Sequence, residues 1–278
     1  MATARWAFVV VAVAACSRIP RSTPPPGGAS QKLHMATSGH LLVTARIDDR
    51  SYPLVLDTGA SVTSISTRAA RELGIEHTGT MTINDTIVAP TGTVGSFALS
   101  GVEHESLPIV IVDMPDALAT GAQGILGLDV LAQHDIVVDL AIEEFGVYPA
   151  GSLASSPTDD RVTIEYGANG LILLDVTLDD KSPIPAMLDL GATVSVLNRS
   201  AGALVGARGG STHMAARTGD IELAPVRALV RDTGTFTRLG LAYTPAIVLG
   251  NDVFENRRLV ISYRDRVASV SSEAFDPR

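Results

Sequence analysis

The sequence predicts a mostly β protein built from two homologous lobes, each with short helices and related to the other by a pseudo-twofold axis. Three observations carry this: a long block that occurs twice, a shorter block that occurs again near the end of each half, and a turn-rich composition. The 278 residues suffice for two domains with workable cores. The 25 Gly and 15 Pro supply turns at a density that favours β structure. Aromatic residues make up only 4% against 46% hydrophobic, so the cores rest on Val, Leu, Ile and Ala.

The first block reads HLLVTARIDDR from His40, then a Pro, then LVLDTGASVTSIS. It returns as LILLDVTLDDK from Leu171, a Pro, and AMLDLGATVSVLN. Asp57 and Asp189 stand 132 positions apart (189 − 57), and at the same offset Ser66 matches Asn198 and Gly74 matches Gly206. Ser and Asn are good helix N-caps and Gly a good terminator, so each repeat is read as strand, turn and short helix. The second block, ILGLDVL from Ile125, returns as VLGNDVF from Val248. Gly127 and Gly250 are 123 apart (250 − 127). A final strand is expected after each, at Ile136–Leu140 and Leu259–Tyr263. Further strands are expected at Met81–Ile83, Gly95–Leu99, Pro108–Val112, Asp220–Leu223 and Ala228–Val230. The lobes are placed at 38–150 and 161–278, with a loop-rich linker at 151–160.

The N-terminus reads as an address. An unbroken apolar run, Trp6 to Ala15, is too short to span a bilayer but has the length of a signal-peptide core. It ends Val13-Ala14-Ala15-Cys16, similar to a bacterial lipobox in which the Cys is lipidated, so residues 1–16 are expected to be a lipoprotein signal peptide with Cys16 as the lipid-bearing residue. Ser17 after it favours, by the same resemblance, an outer-membrane anchor facing the periplasm. Residues 17–37, rich in Pro, Gly and Ser, are expected to be a disordered tether, with the folded part starting at Ser38. The single Cys excludes an intrachain disulfide and a Cys-type zinc site. The net charge of -9 argues against nucleic acid as a partner.

The chemistry is expected at Asp57-Thr58-Gly59-Ala60-Ser61 and Asp189-Leu190-Gly191-Ala192-Thr193. In each, apolar residues run directly into an acid, and a Gly two places on lets the chain turn and bring backbone N–H groups towards the carboxylate. One such turn is a common loop. Two, in matching repeats, meet if the lobes pack about a twofold axis. Two carboxyl groups in contact share a proton: one serves as base towards a water, the other as acid towards a carbonyl. Such a pair hydrolyses an amide without metal or cofactor, and its titration belongs to the pair.

These residues resemble the retropepsin-like aspartic peptidases, over roughly residues 38 to 270. The resemblance implies Asp57 and Asp189 as catalytic acids. It implies support from Gly127 and Gly250, whose apolar-apolar-Gly motifs pack behind the acidic turns. It further implies an aspartic endopeptidase acting on peptide or unfolded-protein substrates, and, since one chain carries both halves, a monomer. Two departures stand out. Ala60 and Ala192 lack the hydroxyl of the pepsin position after the Gly, which raises the carboxyl pKa values. Leu190 replaces the Thr or Ser that interlocks with the opposite loop, leaving only Thr58 to do so and pointing to an alternative: an impaired pseudo-protease that binds extended peptides. The resemblance also places substrate-covering flaps at Asn84–Pro90 and His213–Gly219.

Other signals read as structural. The six His residues form no metal motif and are expected in exposed loops. Asp48-Asp49 and Asp179-Asp180 suit hairpin turns. Asp129 and Asp252 are expected to cap the helix after each second block. Ser61 and Thr193 are expected to hydrogen-bond near the acidic turns or the substrate backbone.

Overall fold

The structure is a computed structural model that describes residues 27–84, 86–113, 121–153, 160–167, 170–223 and 225–271. Cys16 and its apolar run lie outside the described residues. Among the described residues no helix is long and apolar enough to cross a membrane.

The chain begins with β1 (Ala29–Lys32) and β2 (His34–Met35). The hairpin of β3 (Leu41–Ile47) and β4 (Arg50–Leu56) follows. At its turn Asp48 takes φ 42°, a left-handed conformation that Asp tolerates, and its carboxylate accepts the N–H of Ser96 at 2.7 Å. After β5 (Ser64–Ser66), α1 (Thr67–Leu73) starts at the Ser66 side chain, which accepts the Ala69 N–H. It stops at Gly74, φ 67°. β6 (Gly79–Ile83), β7 (Ile87–Leu99) and β8 (Val102–Val112) make a long meander. β9 (Gly124–Leu126) leads into α2 (Leu128–Leu131), and β10 (Asp135–Asp139) with β11 (Glu144–Tyr148) closes the half.

The second half follows the same plan. β12 (Asp160–Thr163) and β13 (Glu165–Tyr166) precede the hairpin of β14 (Ile172–Leu178) and β15 (Ile184–Leu188). Asp179 and Asp180 take its left-handed positions, as the turn chemistry required. β16 (Val196–Leu197) meets α3 (Arg199–Leu204), capped by Asn198. Then come β17 (Ser211–Met214), β18 (Ala216–Thr218), β19 (Ile221–Glu222) and β20 (Val226–Val230). α4 (Gly234–Arg238), β21 (Ile247–Leu249), a 3-10 turn at Asn251–Phe254, β22 (Arg258–Ser262) and β23 (Val267–Ser271) complete it.

Each half folds into its own barrel-like sheet, ordered β2-β3-β4-β9-β5-β8-β7-β6 in the first and β17-β20-β16-β21-β15-β14-β18-β19 in the second. A third sheet is shared, in the order β1-β11-β10-β22-β23-β12. Its register contains the twofold axis. Val137 pairs with Val260, and these are each other's counterparts at the repeat offset (260 − 137 = 123). Asp135 pairs with Ser262, the counterpart of Asp139, and Asp139 pairs with Arg258, the counterpart of Asp135. Ile136 and Val138 face inward at 0% and 1% exposure and join the core that runs through both halves.

Several expectations need correction. The ordered chain starts before Ser38: β1 pairs with β11 from Ala29, inside the stretch expected to be a tether. Its sequence, Ala-Ser-Gln-Lys, carries no apolar alternation, so the ladder and not local propensity makes it a strand. β12 likewise begins at Asp160, the last residue of the expected linker. Each half ends in two strands, not one, because β11 and β23 cover the outer edges of β10 and β22. β7 is far longer than Gly95–Leu99, since β6, β8 and β3 pair along it and stabilise its Thr- and Gly-rich part. Conversely, β19 keeps only Ile221–Glu222 of the expected four residues. His40, His104 and His134 are buried, not in exposed loops. The His104 ring stacks edge-on against Phe97 and His134, each at 6.2 Å. Burial, then the neighbouring His104, pulls His134 down to about 4, so it is neutral at pH 7 and imposes no buried charge.

Asn198 does more than cap. Its Oδ1 accepts the N–H groups of Ala201 (2.8 Å) and Ala246 (3.2 Å), and its Nδ2 donates to the carbonyls of Leu241 (2.9 Å) and Thr244 (2.6 Å). Ser66 accepts one N–H and donates to Gln123 Oε1 at 3.0 Å. Urea titration of Asn198→Ala should therefore show a loss of about 2–4 kcal/mol, against about 1–2 for Ser66→Ala. Equal losses would mean that the loop before β21 does not depend on Asn198.

Candidate active site

Two buried strands deliver two acids to one point. β4 pairs in parallel with β9, and β15 with β21, and each ladder continues one bond past the strand end. The Asp57 N–H donates to the Leu126 carbonyl at 3.1 Å and the Asp189 N–H to the Leu249 carbonyl at 2.9 Å. Both side chains are nearly inaccessible, at 5% and 3% exposure. Each carboxylate accepts the N–H of the Gly two residues on, Gly59 at 2.7 Å and Gly191 at 3.0 Å.

The two carboxyl groups meet and share a hydrogen bond. Each also rests on the opposite glycine. A Cβ on Gly59 would lie 2.7 Å from the Asp189 carboxyl carbon, and one on Gly191 would lie 2.4 Å from that of Asp57. This changes the reason for the glycines. Neither has a positive φ, so the turn itself does not demand Gly. Space for the other lobe's acid does.

Burial is the largest cause that lifts both acids. Asp57 is pushed well above the usual carboxylate value, by burial first and then by the charge of Asp189, against the lowering effect of the Gly59 N–H. Burial lifts Asp189 to about 6, with its hydrogen bond to Asp57 opposing. The pair holds a proton well above the ordinary carboxylate range. Ala60 and Ala192 add no hydroxyl. They are buried and donate their N–H groups to the main-chain carbonyls of Asp57 (3.4 Å) and Asp189 (3.1 Å).

Thr58 locks the halves together from one side. Its Oγ1 donates to the Leu188 carbonyl at 2.9 Å and accepts the Leu190 N–H at 2.9 Å, so the hydroxyl of one acidic turn satisfies two backbone groups of the other. Leu190, fully buried at the matching place, has no hydroxyl to return. Asn251 supplies a further link: its Nδ2 donates to the Gly39 carbonyl at 3.0 Å and lies 3.4 Å from that of Leu190. Thr193 packs beside Gly39. The hydroxyl of Ser61 finds no partner among the described residues.

Gly127 and Gly250 sit behind the acidic turns, where a Cβ would meet the Val62 carbonyl carbon at 2.5 Å or the Ala192 carbonyl oxygen at 2.7 Å. The acids after them do not act as N-caps. Gly127 and Gly250 occupy the cap positions, and Asp129 and Asp252 turn back to hold a hydroxyl residue. Asp129 accepts the N–H and O–H of Thr63 at 2.8 and 2.6 Å, and the Thr63 Oγ1 accepts the Gly127 N–H at 3.1 Å. Asp252 does the same for Ser195, at 3.1 and 2.9 Å, with the Gly250 N–H at 3.1 Å. Thr63 and Ser195 were not singled out from sequence. The signal was present: they stand at the 132-residue offset (195 − 63), and both carry a hydroxyl.

Among the described residues a flap-like hairpin is present in the first half and not in the second. β6 and the start of β7 project around Asn84, with Ile83 and Ala89 packed near Val110 and Val62, and with Ile87 and Val88 52% and 66% exposed. The Asn84–Pro90 expectation falls on this tip. The second expectation fails. His213–Gly219 forms β17 and β18, which pair with β20, β14 and β19 as sheet strands. Only six residues separate α3 from β17, too few for a hairpin of that kind. Among the described residues no group of three or more His, Cys, Asp and Glu is placed to hold a metal ion.

Two measurements probe this geometry. Thr58→Val strands a buried carbonyl and a buried N–H at once, and should lower stability by about 2–4 kcal/mol in urea. The second is pH dependence. Folded Asp189 and Asp129 titrate near 6, above the usual 3.8, so between those values the folded state holds protons that the unfolded chain has released. Their contribution therefore weakens as pH rises from about 4 to about 6. Asp189→Asn should flatten part of that fall and exceed wild type in thermal midpoint at pH 7. An unchanged slope would refute the burial argument.

Residues 43–130 match the family model described as Aspartyl protease. No curated protein matches the chain. The matched stretch holds Asp57, Thr58, Gly59 and Gly127, so this part of the first half is similar to the aspartyl proteases, and the mostly β structure with its two barrel-like sheets is consistent with that likeness.

Proposed function

We propose that the protein is an aspartic endopeptidase in which Asp57 and Asp189 activate a water for attack on a peptide carbonyl. The family match supports a protease-like function in general. The observation that carries the specific reading is the contact of two buried carboxyl groups across Gly59 and Gly191, sharing a hydrogen bond. With one proton on the pair, the ionised member takes a proton from water while the protonated member donates to the carbonyl oxygen. The tetrahedral intermediate then breaks its C–N bond as the amine is protonated. Support for the acidic turns comes from Thr58, Ala60, Ala192, Gly127 and Gly250 in the ways described above. Substrates are extended peptides or unfolded proteins, reaching the acids beneath the β6–β7 hairpin. One chain supplies both acids, so the active form is a monomer. The apolar run before Cys16 supports a lipid anchor in the cell envelope, at the outer membrane and facing the periplasm.

Leu190 favours a second reading, a pseudo-protease that binds extended peptides without cleaving them. Its buried side chain leaves Thr58 as the one hydroxyl bridge between the two turns among the described residues. Incubation with a peptide library, read by mass spectrometry, separates the two. Wild-type cleavage that drops 100-fold or more in both Asp57→Asn and Asp189→Asn is expected for the enzyme. Binding without turnover in the wild type supports the alternative. For an active enzyme, the pH–rate maximum should lie above pH 4, because burial keeps the pair's shared proton well into the mildly acidic range. A maximum near pH 2 would contradict that.

A further inference from the structure

The two halves also differ at the outer edge of the hairpin that precedes each acid. In the first half, the side chain of Gln31 on β1 crosses to the outer edge of β3. Its Oε1 accepts the Thr44 N–H at 3.0 Å and its Nε2 donates to Ser100 Oγ at 2.9 Å. This fills the gap between the stretch of β3 that pairs with β2 and the stretch that pairs with β7.

Strand register locates the same gap in the second half. Gln31 lies opposite Phe145 and Val162 opposite Ala268, its counterpart (145 + 123 = 268). Thr44 lies opposite Pro53 and Asp175 opposite Pro185, its counterpart (53 + 132 = 185). Ser100 follows β7 as Gly219 follows β18, both in left-handed conformations with φ 45° and 55°. Gln31 has thus become Val162 and Ser100 has become Gly219. Both members of the plug are gone, and an open cavity of about 400 Å³ stands in their place, lined by Val162 and Gly219 among others.

The cavity has a definite chemistry. Val162, Leu173 and Pro185 offer apolar walls, while Glu165 and Asp175 offer carboxylates. The matching places in the first half hold His34 and Thr44, so both acids belong to this half alone. Among the described residues no ion pair engages Glu165 or Asp175. The nearby cations are occupied: Arg217 donates to the Gly219 carbonyl at 3.1 Å, and Arg266 lies over the Tyr166 ring at 5.3 Å. The backbone contributes as well. Asp175 turns its carbonyl to this edge, where Thr218 Oγ1 donates to it at 2.8 Å. In an antiparallel strand the N–H of a residue points the same way as its carbonyl. The Asp175 N–H therefore faces the place where Gln31 would have met it.

We propose that this cavity binds a lysine or arginine side chain of a peptide segment. The alkyl stem lies along Val162, Leu173 and Pro185. The cationic head sits between Glu165 and Asp175, and a peptide carbonyl takes the Asp175 N–H. The site is separate from the acid pair and does not depend on its activity.

The test is a methyl-detected NMR titration of the full chain with the capped tripeptide Ac-Ser-Lys-Ser-NH2. Saturable shifts centred on Val162, Leu173 and Leu174 are expected. Binding should be at least ten-fold weaker for the norleucine analogue, which keeps the stem and removes the charge, and at least five-fold weaker for Glu165→Gln/Asp175→Asn. The double variant Val162→Gln/Gly219→Ser, which rebuilds the first half's plug at a φ that Ser100 already tolerates, should lose the shifts while keeping the wild-type thermal midpoint. Equal binding of the norleucine peptide, or shifts that persist in the folded double variant, would overturn the proposal. Cadaverine binding as tightly as the tripeptide would overturn the assignment to a peptide.

Discussion

Two carboxyl groups in contact inside a protein are the constraint around which this fold is arranged. Left ionised and unpartnered, they would repel in a medium that screens charge poorly. A shared proton removes one charge. Backbone N–H groups from Gly59 and Gly191 stabilise what remains. Glycine at both positions leaves room for the opposing acid, which no side chain would. The strands ending at Asp57 and Asp189 are pinned in turn by β9 and β21, and the turns behind them by the Thr63–Asp129 and Ser195–Asp252 clusters.

The shared six-stranded sheet imposes the symmetry that brings these parts together. With the axis passing between Val137 and Val260, whatever one half places at the axis meets its own counterpart. Constraint is tight there, and both Asp-x-Gly-Ala turns survive. Away from the axis the halves have diverged. Among the described residues a flap-like hairpin stands in the first half, α4 and the loop held by Asn198 in the second, and the edge gap is plugged by Gln31 in one and open in the other. Leu190 is the exception, a divergence at the axis. Thr58 makes two hydrogen bonds across it, to the Leu188 carbonyl and from the Leu190 N–H, and a fully buried leucine side chain stands where the second hydroxyl would.

Much of this was legible in the sequence because it is local or repeated. Ser66 and Asn198 announced their helices, since a cap is read from a few consecutive residues. The acids after β3 and β14 announced tight turns for the same reason. The offset of 132 also contained Thr63 and Ser195, but a hydroxyl in a repeat acquires meaning only when a distant carboxylate is seen to hold it. Asp129 and Asp252 were misjudged on the same ground: their neighbours in sequence suggested a cap, while their neighbours in space are the hydroxyl residues.

The sequence by itself determined the duplicated plan, the mostly β class, the helix starts and the two acidic turns, because each follows from short-range chemistry or from internal repetition. Tertiary structure alone decided that β1 and β12 join one sheet, that the hairpin of β6 and β7 has no counterpart among the described residues of the second half, that three histidines are buried, and that each glycine is required by the other half's acid. Those outcomes depend on which surfaces meet. A strand such as Ala29–Lys32, with no apolar pattern of its own, acquires its conformation only when β11 offers it a free edge.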